Sequence, residues 1–269
     1  MIAGMPKPRA LTSTATLRAS WPGLAIGSVL APITGLVSWL RRARMFHPDG
    51  AVYRATVAVA DSAPPDLRAV GHRLAGVALV RFSGAWWRAP REWPDVLGMA
   101  VRWSPDTQDL LLATIRFPWT TPFAPLATDV RSFLWNHYHA VSPFVSVPVG
   151  RVKLRMRSPR IRNRSGLPRM AHLSREAEAG RATWTMEARR LATPFFRRRW
   201  EPVARLTLER RVRIDQAALR FSPFITGRGL WPVGFVHGLR AATYALSQAA
   251  RPATATDSAM GSSAAARRT

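Results

Sequence analysis

The feature that most constrains the fold of this chain is a series of short apolar or alternating segments, separated by loops rich in Pro, Gly and Arg. Such segments are typical of β-strands, because successive side chains of a strand point to opposite faces of a sheet. The turn sequence Ser104–Asp109 predicts a hairpin between two of them. So many strands predict a closed or nearly closed antiparallel β-barrel with helices packed outside. The predicted strands are 51–60, 78–82, 98–103, 110–117, 147–156, 182–191 and 202–213.

One internal segment, Ala127–Ala140, has helical rather than strand periodicity. His137 and His139 would point to different sides of this helix, so the only H-x-H pair of the chain is not expected to share a metal ion. The preceding Pro118–Pro125 is predicted to be an aromatic, Pro-rich loop. The apolar residues of the helical stripe are Val130, Phe133, Leu134 and Tyr138.

Charge and cysteine content exclude several function classes. The 269 residues include 40 basic and 15 acidic side chains, a net charge of +25, which predicts attraction to anionic partners. The basic residues are spread along the chain and no nucleic-acid-binding signature accompanies them, so specific nucleic-acid binding is not expected. Without cysteine, the chain has no thiol catalysis, iron–sulfur cluster, zinc–thiolate site or disulfide.

The two ends of the chain differ from its middle. Residues 1–20 are predicted to be a flexible basic segment, and 252–269, rich in Ala, Ser and Thr, a disordered tail. Residues 21–43 begin with 20 uncharged residues, Trp21–Leu40, bracketed by arginines. This length is close to the minimum for a membrane span, but two Pro and three Gly interrupt it. We expect a segment packed on the domain or an anchor at a membrane surface, with a true span the weakest alternative.

A second helical segment, Gly238–Arg251, combines a tyrosine with two arginines. Arg240 precedes Tyr244 by four residues and Arg251 follows it by seven, so all three share one helical face. Neighbouring cations lower the pKa of a phenol, and a phenolate is a hard ligand suited to ferric iron. A surface helix with scattered arginines is the alternative.

Further motifs, read in chain order, resemble those of the haem catalase superfamily. Over residues 44–251 the chain looks like a small, divergent, catalase-related member of peroxidase-like type. The likeness implies a closed antiparallel barrel of about eight strands with helices outside, and a haem b cofactor. The matching motifs are Arg44-x-x-His47-x-x-Gly50, Val80-Arg-Phe-Ser83, Gly98–Trp103, Asp109-Leu110, Phe221-Ser-Pro223 with Gly229–Pro232, and Arg240-x3-Tyr244-x6-Arg251.

The resemblance implies a role for each matching residue. Tyr244 would ligate the ferric iron as tyrosinate, with Arg240 lowering the pKa of its phenol. His47 would be the distal acid–base that takes the proton of a bound peroxide, and Ser83 would orient its imidazole. The cations that would bind the haem propionates are Arg44, Arg81 and Arg251.

One departure from the family pattern bears on the activity. Family catalases carry an asparagine where this chain has Ala113-Thr114, and Thr114 would supply a single hydrogen bond in its place. The resemblance therefore implies a haem oxidoreductase acting on hydrogen peroxide or on organic, fatty-acid hydroperoxides, more as a peroxidase than as an efficient catalase. We expect a cytoplasmic protein that can associate with an anionic membrane surface and can form an oligomer.

Two alternative functions remain open at this point. The barrel could bind haem without catalysis, or a degenerate scaffold could serve a cationic, membrane-associated protein. The tryptophans Trp86, Trp87 and Trp93 fit packing or a membrane-interface belt better than a platform for stacking bases. A haem absorption spectrum and peroxide-dependent dye oxidation would separate these functions.

Overall fold

The computed structural model describes residues 50–87, 91–103, 108–194, 198–214, 219 and 221–234. The segments predicted at 1–20, 21–43, 238–251 and 252–269 lie outside these residues. The described helices are α1 (Pro65–Leu74), a 3-10 helix (Pro118–Phe123), α2 (Ala124–Ala127) and α3 (Arg169–Glu178). The described strands are β1 (Gly50–Val59), β2 (Gly76–Gly84), β3 (Leu97–Trp103), β4 (Gln108–Ala113), β5 (Tyr138–Ala140), β6 (Phe144–Ser146), β7 (Gly150–Arg157), β8 (Thr183–Arg190), β9 (Glu201–Val212) and β10 (Trp231–Pro232).

Eight of these strands close into an antiparallel barrel, as the sequence predicted. Strands β1 to β4 pair in chain order, β4 continues to β5 and β5 to β7, and β8 and β9 return the sheet to β1. Strand β6 pairs with the start of β7, and β10 extends β6. Closure leaves the ring of eight without a free edge.

The interior of the barrel is filled by aromatic side chains. The Phe82 ring lies 5.3 Å from that of Phe133 and 5.2 Å from that of Trp184, and 6.1 Å from the rings of both Tyr53 and Tyr138. All five are 0% exposed. An interior packed in this way does not accommodate a large ligand. A site for such a ligand must therefore lie outside the barrel.

Two helices that the sequence analysis did not predict pack against the barrel, with their buried side chains in its main core. Helix α1 begins at Pro65, whose fixed φ suits the first helical turn, and buries Leu67 and Leu74. The indole Nε1 of Trp103 donates a hydrogen bond to the Leu74 carbonyl at 2.6 Å. Helix α3 likewise buries Leu173 in the main core. Both helices begin directly after a proline, which is the signal that could have predicted them.

The helix predicted at Ala127–Ala140 is wrong. Helix α2 ends at Ala127, the following residues form turns, and β5 begins at Tyr138. The Asn136 side chain holds these turns, because its Nδ2 donates to the Asp129 carbonyl at 2.7 Å and its Oδ1 accepts from the Asp129 N–H at 3.0 Å. The predicted loop at Pro118–Pro125 is also more regular than expected, because it forms the 3-10 helix and the start of α2.

The predicted strands are confirmed with shifted ends. The strand predicted at 147–156 begins only at Gly150, because residues 147–149 form the turn after β6. The strand predicted at 110–117 is β4, which ends at Ala113. The hairpin between β3 and β4 is confirmed by the pairing of Trp103 with Gln108.

Candidate functional site

The outer face of strands β1–β4 brings together residues that the sequence analysis singled out. Along β2, Val80 and Phe82 belong to the barrel core, so the alternating Arg81 and Ser83 lie on the outer face. Directly opposed residues of an antiparallel pair share a face. Ser83 pairs with Gly50 and Gly98, and Arg81 pairs with Val52 and Ala100.

The guanidinium of Arg81 lies directly against Gly50. A methyl group on the Cα of Gly50 would come within 2.8 Å of Arg81 Cζ and 2.6 Å of the Phe82 carbonyl oxygen. Arg81 is 4% exposed and Ser83 is 3% exposed. A side chain at this last residue of the R-x-x-H-x-x-G motif would clash with the Phe82 carbonyl and displace the Arg81 guanidinium.

Two apolar clusters flank Arg81 and Ser83 on the same face. Leu79, on the outer face of β2 before Arg81, belongs to the first cluster. Ala85, directly after β2, belongs to the second cluster, so the two clusters lie on either side of the polar pair. The surroundings of the polar pair are therefore largely apolar. The first outer cluster contains Val52, Leu79, Ala100, Leu111, Ile214, Leu219 and Phe221, and the second contains Ala85, Val96, Ala113, Ile115 and Ala124 of α2.

Asp109 fastens the C-terminal part of the barrel domain to this face. Its Oδ1 accepts a hydrogen bond from Arg102 Nε at 2.8 Å, and its Oδ2 accepts from Arg102 Nη2 at 2.7 Å and from the Ser222 N–H at 2.7 Å. Arg102 Cζ lies 5.0 Å from the centre of the Phe221 ring. The aspartate of one motif thus holds the F-x-P segment of another. Asp109 is 1% exposed.

Gln108, next to Asp109, extends the same attachment. Its Nε2 donates to the carbonyls of Ile225 and Leu230, both at 3.2 Å, and its Oε1 accepts from the Arg228 N–H at 3.2 Å. Sequence reasoning missed Gln108 and Arg102 as supports of the site. Arg102 and Asp109 pair directly across the β3–β4 hairpin, so the register of that hairpin was the signal that could have found the ion pair.

Thr114 does not join Ser83 and Arg81 in this arrangement. Its Oγ1 accepts a hydrogen bond from the Leu97 N–H at 3.1 Å and lies 2.8 Å from the Oγ1 of Thr128. The residue of β4 that pairs with Gly98, and so shares the outer face with Ser83, is Ala113. The remaining predicted site residues lie outside the described residues: Arg44, His47, Arg240, Tyr244 and Arg251.

The H-x-H pair is arranged differently from the sequence prediction, because it precedes and enters strand β5 instead of lying on a helix. His137 Nδ1 accepts a hydrogen bond from the Ser158 N–H at 3.0 Å. Burial, followed by Arg155, lowers the pKa of His137 to about 4 and that of His139 to about 3. Both imidazoles are therefore neutral at pH 7. Among the described residues, no group of three His, Cys, Asp or Glu side chains could hold a metal ion.

None of the helices within the described ranges combines the length and the apolar character that a membrane crossing requires. The predicted apolar segment 21–43 is not among those ranges. The proposal that this segment meets a membrane therefore stays a prediction. A measurement on the whole chain has to decide it.

Comparison with known proteins finds solved structures with a similar fold. No protein-family model matches the sequence, and no curated protein matches it. A bacterial catalase structure matches with a TM-score of 0.54 and 14% identity, over 80% of this chain and 59% of the catalase. A fungal catalase structure matches with a TM-score of 0.54 and 13% identity, over 78% of this chain and 60% of the catalase. This chain spans about six tenths of the length of these catalases, and what it shares with them is the catalase-like β-barrel fold.

Proposed function

We propose that this protein is a haem-dependent oxidoreductase that reacts with hydrogen peroxide or organic hydroperoxides on the outer face of strands β1–β4. The observation that carries the proposal is the burial of Arg81 and Ser83 side by side on that face, between two apolar clusters, in a catalase-like barrel. The filled interior supports an external site as well.

The side chains on this face fit a haem. A porphyrin offers a wide apolar plane and two carboxylates, so its site needs apolar surroundings and buried cations. Arg81 is a planar, permanently charged donor, and Gly50 leaves space for its guanidinium. The small side chains that neighbour Ser83 on the face, those of Gly98 and Ala113, allow a flat group to approach the strands closely.

The roles assigned from the resemblance complete the proposal. Arg81, with Arg44 and Arg251, would bind the propionates of haem b. Tyr244 would ligate the ferric iron, and Arg240 would keep its phenol ionised by lowering the pKa. The bound haem would supply the redox chemistry of peroxide cleavage.

His47 would act as the acid–base group of the reaction. It precedes Gly50 by three residues, which limits its Cα to about 11 Å from that of Gly50, the residue that pairs with Ser83. Its imidazole would take the proton from a bound hydroperoxide and return it to the leaving oxygen. Ser83 would hold the imidazole in the required orientation through a hydrogen bond.

The expected activity is peroxidase-like rather than efficient dismutation of hydrogen peroxide. The outer-face residue at this point of β4 is Ala113, which has no hydrogen-bonding group, and the Thr114 hydroxyl is engaged with Leu97 and Thr128. Thr114 would therefore act as a residue that positions the end of β4. Without an amide beside His47, a second peroxide molecule would be poorly oriented.

The test is expression of the full chain with haem supplied, followed by an absorption spectrum and peroxide-dependent oxidation of a dye. We expect a high-spin ferric spectrum with tyrosinate ligation. Tyr244→Phe should lower haem occupancy and abolish turnover, and His47→Ala should retain haem but lose turnover. Arg240→Leu should keep haem and raise the potential of the iron.

Other outcomes identify the alternative functions. Haem binding without peroxide-dependent oxidation would indicate a haem-binding protein that lacks catalysis. A well-folded chain that binds no haem would overturn the proposal and leave a cationic, membrane-associated protein on the same scaffold. An unchanged spectrum in Tyr244→Phe would show that Tyr244 is not the iron ligand.

A further inference from the structure

Large exposed apolar side chains concentrate on two neighbouring segments, 85–96 and 115–127. Seven such side chains are exposed in the described residues, and five of them lie on these two segments. Their packing brings the segments together, because Ala85, Val96 and Ala124 share the second outer cluster. The five, here called the aromatic end, are Trp86 (39% exposed), Trp93 (53%), Trp119 (73%), Phe123 (68%) and Leu126 (81%).

The remaining two, Val77 and Val147, lie elsewhere. Val77 stands near the start of β2, whereas Trp86 follows the end of the same strand, so they are at opposite ends of the barrel. The Val147 carbonyl accepts a hydrogen bond from Arg73 in the last turn of α1, and α1 leads directly into β2. The apolar exposure is therefore polarised toward one end of the barrel.

Cations surround the aromatic end. Arg116 Cζ lies 5.3 Å and Lys153 Nζ 5.0 Å from the centre of the Phe117 ring, which stacks on Trp119 at 4.8 Å. Arg91 Cζ lies 5.3 Å from the ring centre of Trp93. Burial and the neighbouring Arg189 and Arg116 lower the pKa of Lys153, so several cations lie close to each other here.

Carboxylates do not offset these cations within the two segments. Segment 115–127 contains no Asp or Glu. Segment 85–96 contains Glu92, whose Oε1 accepts from the Arg169 N–H at 2.5 Å, and Asp95, which is 0% exposed and caps the N–H groups of Trp86 and Val96.

We propose that the aromatic end docks on an anionic lipid bilayer, with Trp119, Phe123 and Leu126 inserted at the headgroup level and Arg116 and Lys153 contacting lipid phosphates. Tryptophan favours the membrane–water interface because its ring is apolar and its N–H is polar. Cations beside inserted apolar side chains add attraction to anionic lipids. All three side chains are exposed, and they lie on the continuous stretch formed by the 3-10 helix and α2.

Vesicle sedimentation with the full chain tests the proposal. Wild type should sediment with vesicles of phosphatidylcholine plus phosphatidylglycerol, more than with phosphatidylcholine alone, and less at high salt. Trp119→Ser/Phe123→Ser/Leu126→Ser should weaken binding at least ~10-fold. Arg116→Gln/Lys153→Gln should remove most of the preference for the anionic lipid. Val147→Ser is the matched control and should bind as wild type does.

Two outcomes would overturn the proposal. If the triple variant binds vesicles as wild type does, another segment such as 21–43 makes the contact. If wild type is dimeric in solution, binds no vesicles and becomes monomeric through the triple substitution, the aromatic end is a self-association surface. Circular dichroism of each variant confirms that it is folded. Brominated lipid should quench the fluorescence of wild type more than that of Trp119→Phe.

Discussion

The inner and outer faces of the same four strands differ in what they require of their side chains. Along β2, Phe82 points inward and packs against other aromatic rings, so its contribution is volume and burial. Arg81 and Ser83, on either side of it in sequence, are nearly as buried but polar, and they face outward between apolar clusters. Substitutions on the inner face should therefore affect stability, and those on the outer face should affect the proposed site.

The largest effect on stability is expected for Phe82→Ala. Removing a ring that is 0% exposed and packed against four other aromatic rings leaves a cavity, which should lower the free energy of unfolding by about 3–5 kcal/mol. Urea unfolding measures this change. Phe82→Leu, which fills most of the space, should lose much less. If Phe82→Ala lowered the free energy of unfolding by less than a surface substitution does, Phe82 would not be packed in the barrel interior.

The second largest effect on stability is expected for Asp109→Asn. The substitution keeps the shape of the side chain but removes the charge that accepts two hydrogen bonds from Arg102 and one from the Ser222 N–H. We expect a loss of about 1.5–3 kcal/mol by urea unfolding, the range for hydrogen bonds to a charged group. Limited proteolysis should also release the segment around Phe221 more readily. Asp61→Asn, in an exposed pair with Arg205, is the control.

Arg81→Leu should affect haem binding more strongly than it affects the stability of the fold. We expect haem occupancy to fall clearly while the free energy of unfolding of the haem-free protein changes less than in Phe82→Ala. Arg54→Leu is the matched control on the same outer face, because Arg54 is half exposed and pairs with Glu209 at 2.9 Å. It should cost less than about 1 kcal/mol and leave haem occupancy unchanged. Equal effects of the two substitutions on haem would contradict the assignment of Arg81.

The smallest effect is expected for His137→Asn, and it should depend on pH. The pKa of His137 is lowered from 6.5 to about 4, so between these pH values the unfolded chain binds a proton that the folded chain does not. Stability should therefore fall as the pH falls through this window. The asparagine oxygen can still accept from the Ser158 N–H and does not titrate. The free energy of unfolding, measured by urea unfolding at several pH values between 7 and 4, should change less with pH in the variant than in wild type.

An unchanged slope in this window would show that His137 does not contribute to the acid sensitivity. His139 would then be examined in the same way, because its pKa is lowered to about 3 by burial and by Arg155. Its effect has the same sign as that of His137. His139 pairs with Ala113 of β4, at the edge of the outer face that carries the proposed site.

The local pattern of the sequence was sufficient for the strands and for part of the candidate site. Alternation along a strand is sufficient to place Arg81 and Ser83 on the opposite face from Phe82. The turn at Ser104–Asp109 predicted the β3–β4 hairpin, and the pairing of Trp103 with Gln108 confirmed it. These features depend on neighbours in sequence, and therefore the sequence could predict them.

The predicted helix at Ala127–Ala140 failed for a physical reason. Phe133, Leu134 and Tyr138 have helical spacing and are each 0% exposed. They reach the barrel core from a chain of turns held by Asn136, so burial by distant strands produced the pattern that a helix would also produce. Apolar spacing alone does not distinguish these two cases.

The sequence by itself determined where the strands lie, which residues alternate across them, and that strong positive charge accompanies the motifs. Only the tertiary structure decided that the barrel interior is filled, that Gly50 leaves space for the Arg81 guanidinium, and that Asp109 holds the segment around Phe221. These contacts join residues far apart in sequence, up to 113 positions for Ser222 and Asp109. Their formation depends on strand register and barrel closure, which local propensities do not encode.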